Sequence, residues 1–262
     1  MSDPASGDPR IHRAAADGFG RGAADYERAR PSYPAAAVDL IVEGCGLGPG
    51  RTVVDVAAGT GKMTRLLVPC GAEVLAVEPV AEMRAELERV VPRATVLDGT
   101  AEALPLADAA VDALTVAQAF HWFEAATALA ECHRVLRLGG WLVLVWNVRD
   151  ASVDWVARFG ELLVEGGGAK PYEEGVDWAA VVADHGGFTV LEEHRFANLQ
   201  EVTVDELVAR AASTSFVSAL PDDERAACLA RVRALAATHP DLAGRDRFVF
   251  PHETVVYRSR RR

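Results

Sequence analysis

A chain of 262 residues has room for one α/β domain with a substantial core and an added cap, and is short for two independent domains. Half of the residues are hydrophobic, yet the apolar runs are strand-sized and the opening MSDPASGDPR is not a leader, so a soluble cytoplasmic protein is expected. The formal charge is −11 and lysine occurs only at Lys62 and Lys170, which leaves no basic face to follow a phosphate backbone and argues against a nucleic-acid partner.

Residues 1–10, rich in Pro, Gly, Asp and Ser, read as a disordered lead. The segment FGRGAADYERARPSYP places Tyr26 and Arg30 one helical turn apart before Pro31, as on a packed N-terminal helix with a solvent-facing arginine. Pro34 to Glu43 carries a helical stripe at Ala37, Val38, Ile41 and Val42.

The stretch RTVVDVAAGTGK, Arg51 to Lys62, is the most informative in the chain. Thr52 to Val56 reads as a buried parallel strand with Asp55 at its carboxyl end. Ala57, Ala58, Gly59 and Gly61 are small, so the chain can turn sharply there and a ligand can lie on the peptide groups. Met63 to Val68 reads as a helix whose first amides face that ligand. A second apolar run, Val74 to Val77, ends in Glu78, 23 residues beyond Asp55, the interval of one strand, helix and strand. A carboxylate at the tip of a second strand is the usual partner of both hydroxyls of an adenosine ribose. A dinucleotide fold needs a third loop glycine where this chain has Thr64, and Asp55 would repel a pyrophosphate while suiting an amino group.

Further on, Val80 to Val91 reads as a crossover helix stopped by Pro92, and Ala94 to Leu97 as a third strand followed by DGTAE. Val111 to Val116 is the fourth strand, and its end delivers Gln118, Ala119, Phe120, His121, Trp122 and Phe123. An aromatic cluster of this kind is usually core, and a histidine among aromatics is usually packed. Ala125 to Leu136 is helical, LRLGG supplies a glycine cap, and Trp141 to Trp146 is a fifth strand that hands on Asn147 and Arg149. Val153 to Val164 reads as a helix and GGGAKPYEEG as a mobile loop. Phe188 to Asn198 and Phe248 to Tyr257 are extended candidates flanking helices at Val204 to Ala212 and Asp222 to Ala237. Ser213, Thr214 and Ser215 read as caps, and Arg258 to Arg262 as a frayed, solvated terminus. Cys45, Cys70, Cys132 and Cys228 have no metal-ligand spacing, and no metal is expected.

The loop with its two acids, QAFHWF, and the Y-x-x-x-R-P-x-Y-P segment together resemble the class I S-adenosylmethionine-dependent methyltransferases of type 11, in a subgroup that includes trans-aconitate methyltransferases. The family's loop is commonly acid-x-G-x-G-x-G, and Ala57 replaces its first glycine, which weighs against a positive φ there. The resemblance implies a Rossmann-like sheet of seven mostly parallel strands with the last antiparallel, helices on both faces and an N-terminal helical cap. It implies one domain over residues 11–262, divided into a cap at 11–35, a cofactor core at 36–150 and an acceptor-side part at 151–262. It implies S-adenosyl-L-methionine as cofactor, held by Tyr26, Arg30, Asp55, Ala57, Gly59, Gly61, Glu78, Thr100, Ala101, Glu102 and Gln118, although Glu102 also fits a helix-entry acid. His121 and Arg149 become the acceptor-side residues, His121 as base or positioning donor, Arg149 for an anion. The acceptor is expected to be a small molecule with a carboxylate or hydroxyl, and the protein a monomer or homodimer. A non-catalytic cofactor-binding module and a nicotinamide-dependent oxidoreductase stand as the rival readings.

Overall fold

The computed structural model describes residues 30–165 and 177–262, and of Ser215 and Phe216 the backbone alone. The expectations for residues 1–10, Tyr26, most of the cap and GGGAKPYEEG lie outside these residues. Seven strands form one sheet in the order β3-β2-β1-β4-β5-β7-β6, with β1 (Thr52–Val56), β2 (Glu73–Val77), β3 (Thr95–Leu97), β4 (Val111–Ala117), β5 (Leu136–Arg149), β6 (Glu192–Val202) and β7 (Phe248–Arg260). The pairs β2–β3, β1–β2, β1–β4 and β4–β5 are parallel, and the last strand runs antiparallel.

The described residues gather into two compact units, the larger built from 32–147, 177–196 and 254–262, the smaller from 30–31, 148–165 and 197–253. In the larger unit β1 and β4 are the central strands, and TVVDV and VDALTVA bury nearly every position because parallel strands are covered on both faces. Helices α1 (Ala35–Val42), α2 (Thr64–Leu67), α3 (Ala81–Val90), α4 (Ala125–Val135) and α6 (Trp178–His185) belong to this unit. Helix α1 buries Ala37 and Ile41, and α3 buries Met83 and Leu87, each pair four residues apart on one face. Each fully buried aliphatic of this kind stabilises by about 1.5–3 kcal/mol.

The smaller unit holds α5 (Asp154–Glu165), α7 (Val204–Ala212), α8 (Ser215–Ser218) and α9 (Asp222–Thr238). Its core joins Trp155, Phe159, Leu207, Val232, Phe248 and Phe250. A capping box starts α7: Thr203 Oγ1 accepts from Glu206 N, and the Glu206 carboxylate accepts from Thr203 N.

Four expectations are corrected. LRLGG is strand rather than cap: α4 stops at Val135 and β5 begins at once, with Arg137 to Gly140 accommodated as a bulge opposite the Val111–Ala113 step and Gly139 at φ 75. The helix after the loop is only α2 followed by a 3-10 turn at Val68–Cys70, since Pro69 cannot continue it. Strand β6 starts four residues later than Phe188, which makes only an isolated antiparallel bridge to Arg261. The basic terminus is not frayed. Its guanidinium groups at Arg258 and Arg260 stand 4.8 and 4.3 Å from the Trp141 ring, and Arg258 also pairs with Glu192 at 2.6 Å.

Candidate functional site

The loop from β1 to α2 is shaped by its small residues. Ala57 sits at φ 52, Gly59 at φ 57 and Gly61 at φ 86, three left-handed positions in five residues. The positive φ at Ala57, against which the sequence weighed, costs about 1–2 kcal/mol for a residue with a Cβ. At Gly61 a Cβ would fall 2.2 Å from Leu87 Cδ1, so α3 packs where a side chain would stand. At Gly59 a Cβ would meet nothing within 4 Å, so the space above that peptide is open to a ligand.

Two acids hold the loop. Asp55, 1% exposed, accepts from Thr64 Oγ1 at 2.6 Å and from Thr115 Oγ1 at 2.9 Å, tying the end of β1 to α2 and to β4. Burial, helped by the neighbouring Glu78 charge, outweighs those hydrogen bonds and raises the Asp55 carboxyl to about 6. Glu78 directly follows β2, where its Oε2 accepts from Gly59 N and its Oε1 from Val80 N, both at 2.9 Å. The Glu78 amide in turn bonds Leu97 O at 3.1 Å, which registers this acid against the tip of β3.

Beyond β3, Thr100 pairs with Ala103 in an isolated bridge and Ala101 is buried. Glu102 Oε1 accepts from the amide of Glu124, the N-cap of α4, so its carboxylate serves the helix entry in this structure. Gln118 follows β4 at φ 61, a strained turn that donates its amide to Val145 O and releases the chain into the 3-10 turn Phe120–Trp122. Phe120 is 1% exposed and packs edge-on against Phe123 and Trp178, which makes it core. His121 is half-buried.

Trp146 Nε1 donates to His121 Nδ1 at 3.2 Å, and the Trp146 ring is itself stacked on Trp178 at 4.9 Å. An indole N–H can only donate, so Nδ1 holds the lone pair and the neutral imidazole carries its hydrogen on Nε2. In that tautomer His121 is a hydrogen-bond donor and not a base. Sequence reasoning had no signal for this, because Trp146 read as an ordinary strand aromatic.

Arg30 and Arg149 belong to the smaller unit. Arg30 Nη2 donates to Ser213 O at 3.3 Å, and the Arg149 guanidinium lies 5.8 Å from the Phe159 ring centre. Ser213 and Thr214 hydroxyls both donate to Arg210 O, which makes them caps for the end of α7. Among the described residues no three of the His, Cys, Asp and Glu side chains gather as metal ligands, and no helix is long and apolar enough to cross a membrane.

A family profile described as "Methyltransferase domain" matches residues 54–144, from β1 into β5. An uncharacterized methyltransferase of Mycobacterium bovis is 40% identical over 241 residues, covering 92% of this chain and 94% of its own. An uncharacterized methyltransferase of Schizosaccharomyces pombe is 34% identical over 239 residues, with 90% and 94% covered. The fold matches the crystal structure of the YcgJ protein from Bacillus subtilis with a TM-score of 0.59, at 18% identity and with 87% and 98% of the chains covered. With the loop, the sheet order and near full-length relatives in agreement, the chain belongs to the class I methyltransferases.

Proposed function

We propose that this methyltransferase uses S-adenosyl-L-methionine, bound on the loop after β1, to methylate a small molecule carrying a carboxylate. The observation that carries the cofactor reading is Glu78, a buried acid at the tip of β2 that fixes the loop through Gly59 and stands where an adenosine ribose is usually held. The left-handed turns at Ala57, Gly59 and Gly61 shape the loop for the methionine end, with open space above Gly59, while Asp55 acts on it by holding the loop through Thr64 and Thr115. Thr100, Ala101 and Glu102 on the adenine side, Gln118, and Tyr26 and Arg30 as a cap enter on the strength of the sequence pattern.

Bound there, the cofactor supplies a methyl group already activated on a sulfonium, so the chain's own residues have mainly to position. A hydroxyl or ammonium acceptor needs a base, and a carboxylate needs none. With Nδ1 of His121 accepting from Trp146, the ring is not placed as a base, which suits an acceptor oxygen that is already charged. The nicotinamide reading lacks a third loop glycine, since Thr64 stands there, and the relatives are methyltransferases. Incubation with S-adenosyl-L-methionine and a panel of small organic acids tests the proposal. Release of S-adenosylhomocysteine with an acid, and not with the matching alcohols, is the expected result. Tight cofactor binding without release to any acceptor would leave a non-catalytic binding module.

A further inference from the structure

A cavity of about 470 Å³ opens at the end of the sheet opposite the cofactor loop, and all of its lining belongs to the larger unit. The loop leaves the carboxyl end of β1, whereas the cavity lies at the amino ends of β1 and β4. Arg51 directly precedes β1, Asp112 is the second residue of β4 and Arg137 the second of β5. Arg260, the last residue of β7, lines the cavity beside Trp141, and Glu43, just past α1, lines it as an exposed acid. Because β1 is five residues long, about 17 Å separates this end of the strand from the loop.

Charge in this cavity does not cancel. Asp112 is mostly buried and accepts from Thr52 N at 2.8 Å, from Arg51 Nη1 at 2.9 Å and from Arg137 Nη1 at 2.6 Å. Burial works to raise its carboxyl, but those three donors outweigh it and hold the group below the usual carboxylate range, so Asp112 is ionised at neutral pH. One carboxylate thus faces two guanidinium groups, each of which gives it one nitrogen of three. The Arg260 guanidinium lies 4.3 Å from the Trp141 ring, and an indole face holds a cation without neutralising it. With Glu43 included, three cations meet two carboxylates, a local reversal of sign in a chain of formal charge −11.

We propose that Arg51, Arg137 and Arg260 bind a small molecule through its phosphate group at this end of the sheet. A planar carboxylate offers its lone pairs in one plane, as Asp112 does to its own donors. A phosphate offers oxygens in a tetrahedron and carries more charge, so it can accept from guanidinium forks that come from three separate parts of the chain. The site stands apart from the cofactor loop, none of whose residues lines the cavity. That loop carries Asp55 and Glu78, which repel the same group.

Isothermal calorimetry on the full chain, with no cofactor present, tests this with three probes: inorganic phosphate, glycerol 3-phosphate and succinate. Both phosphates are expected to bind with a Kd of about 1 mM or below, and succinate about tenfold more weakly. Arg137→Gln and Arg260→Gln should each weaken glycerol 3-phosphate by about tenfold, whereas Arg93→Gln, exposed in the same unit and outside the cavity, should leave it unchanged. Arg260→Gln leaves all three donors to Asp112 in place, so it decides even if Arg137→Gln does not fold. Saturating S-adenosylhomocysteine should not displace either phosphate. Displacement would put the phosphate on the loop and overturn the proposal. So would equal binding of succinate, binding of inorganic phosphate but not its ester, full affinity in Arg260→Gln, an equal loss in Arg93→Gln, or no binding at about 10 mM.

Discussion

The loop backbone stores strain at Ala57, where φ is 52 although the residue has a Cβ. Ala57→Gly removes that strain but enlarges the unfolded ensemble, so the net gain should be about 0.5–1 kcal/mol. Ala58, next in the chain and not at positive φ, is the control: Ala58→Gly should destabilise, and urea midpoints of the two variants should move in opposite directions. Asp55 makes a second test at this scale. Its folded pKa of about 6 lies above the ordinary aspartate value of 3.8, so folded Asp55 binds more protons than unfolded Asp55 between those values. Its contribution to stability is therefore complete below about 4 and lost as pH rises through about 6, a loss on the order of 2–3 kcal/mol. His252 pulls the other way, since its depressed pKa removes stability as pH falls below its usual range. The quantity to measure is thus the difference between Asp55→Asn and the parent chain across pH 4 to 7. That difference should grow in the variant's favour through about pH 6, and a flat difference would mean that Asp55 is not buried as a carboxyl. Glu78→Ala should lower affinity for S-adenosylhomocysteine by about one to three decades in calorimetry. Because Glu78 also accepts from Gly59 N, some loss of melting temperature should accompany it.

At the scale of elements, the sequence made the strands legible where side chains alone decide them. The β-branched runs of β1 and β4 are buried on both faces, and nothing local competes with that pattern. LRLGG was misread because Gly139 has the positive φ that a helix cap also wants, and only pairing of Gly139 N with Arg261 O shows it to be strand. The terminal arginines were misread for a similar reason, since their partner Trp141 is more than a hundred residues away in the chain. Both acids of the loop were readable from spacing, but their partners were not: Thr115 meets Asp55 through the register of β1 against β4, and Thr64 and Val80 meet the acids through the turns of the chain that follow β1 and β2. The bond from Trp146 to His121 joins β5 to the turn after β4, and it yields a prediction independent of any acceptor. Nitrogen-15 NMR of labelled histidine should show His121 as the Nε2–H tautomer, and Trp146→Phe should shift it toward a mixture. A mixed population in the parent chain would restore His121 as a candidate base.

For the molecule as a whole, the larger unit was legible almost in order up to β5, because the helices between β1 and β2, β2 and β3, and β4 and β5 each join strands that adjoin in the sheet, whereas α6 was not read. The smaller unit was not, since Arg210 and His252 both pack on Phe250 only once α7 lies against β7, elements that read as a plain helix and a plain strand. This division gives the last test. Every residue assigned to the cofactor from Asp55 to Gln118 lies in the larger unit. Ligand bound to the native state slows exchange of amides that open only when the ligand leaves, by about 2.7 kcal/mol at a hundredfold excess over Kd. Hydrogen exchange with S-adenosylhomocysteine should therefore protect peptides covering Ala57 to Gly61 and Glu78 to Val80 most strongly. The sequence pattern around Tyr26 and Arg30 predicts protection over residues 19–34 as well, as a cap that orders with the cofactor. Protection confined to residues 148–165 and 197–253 would place the nucleoside in the smaller unit and remove Glu78 from its ribose.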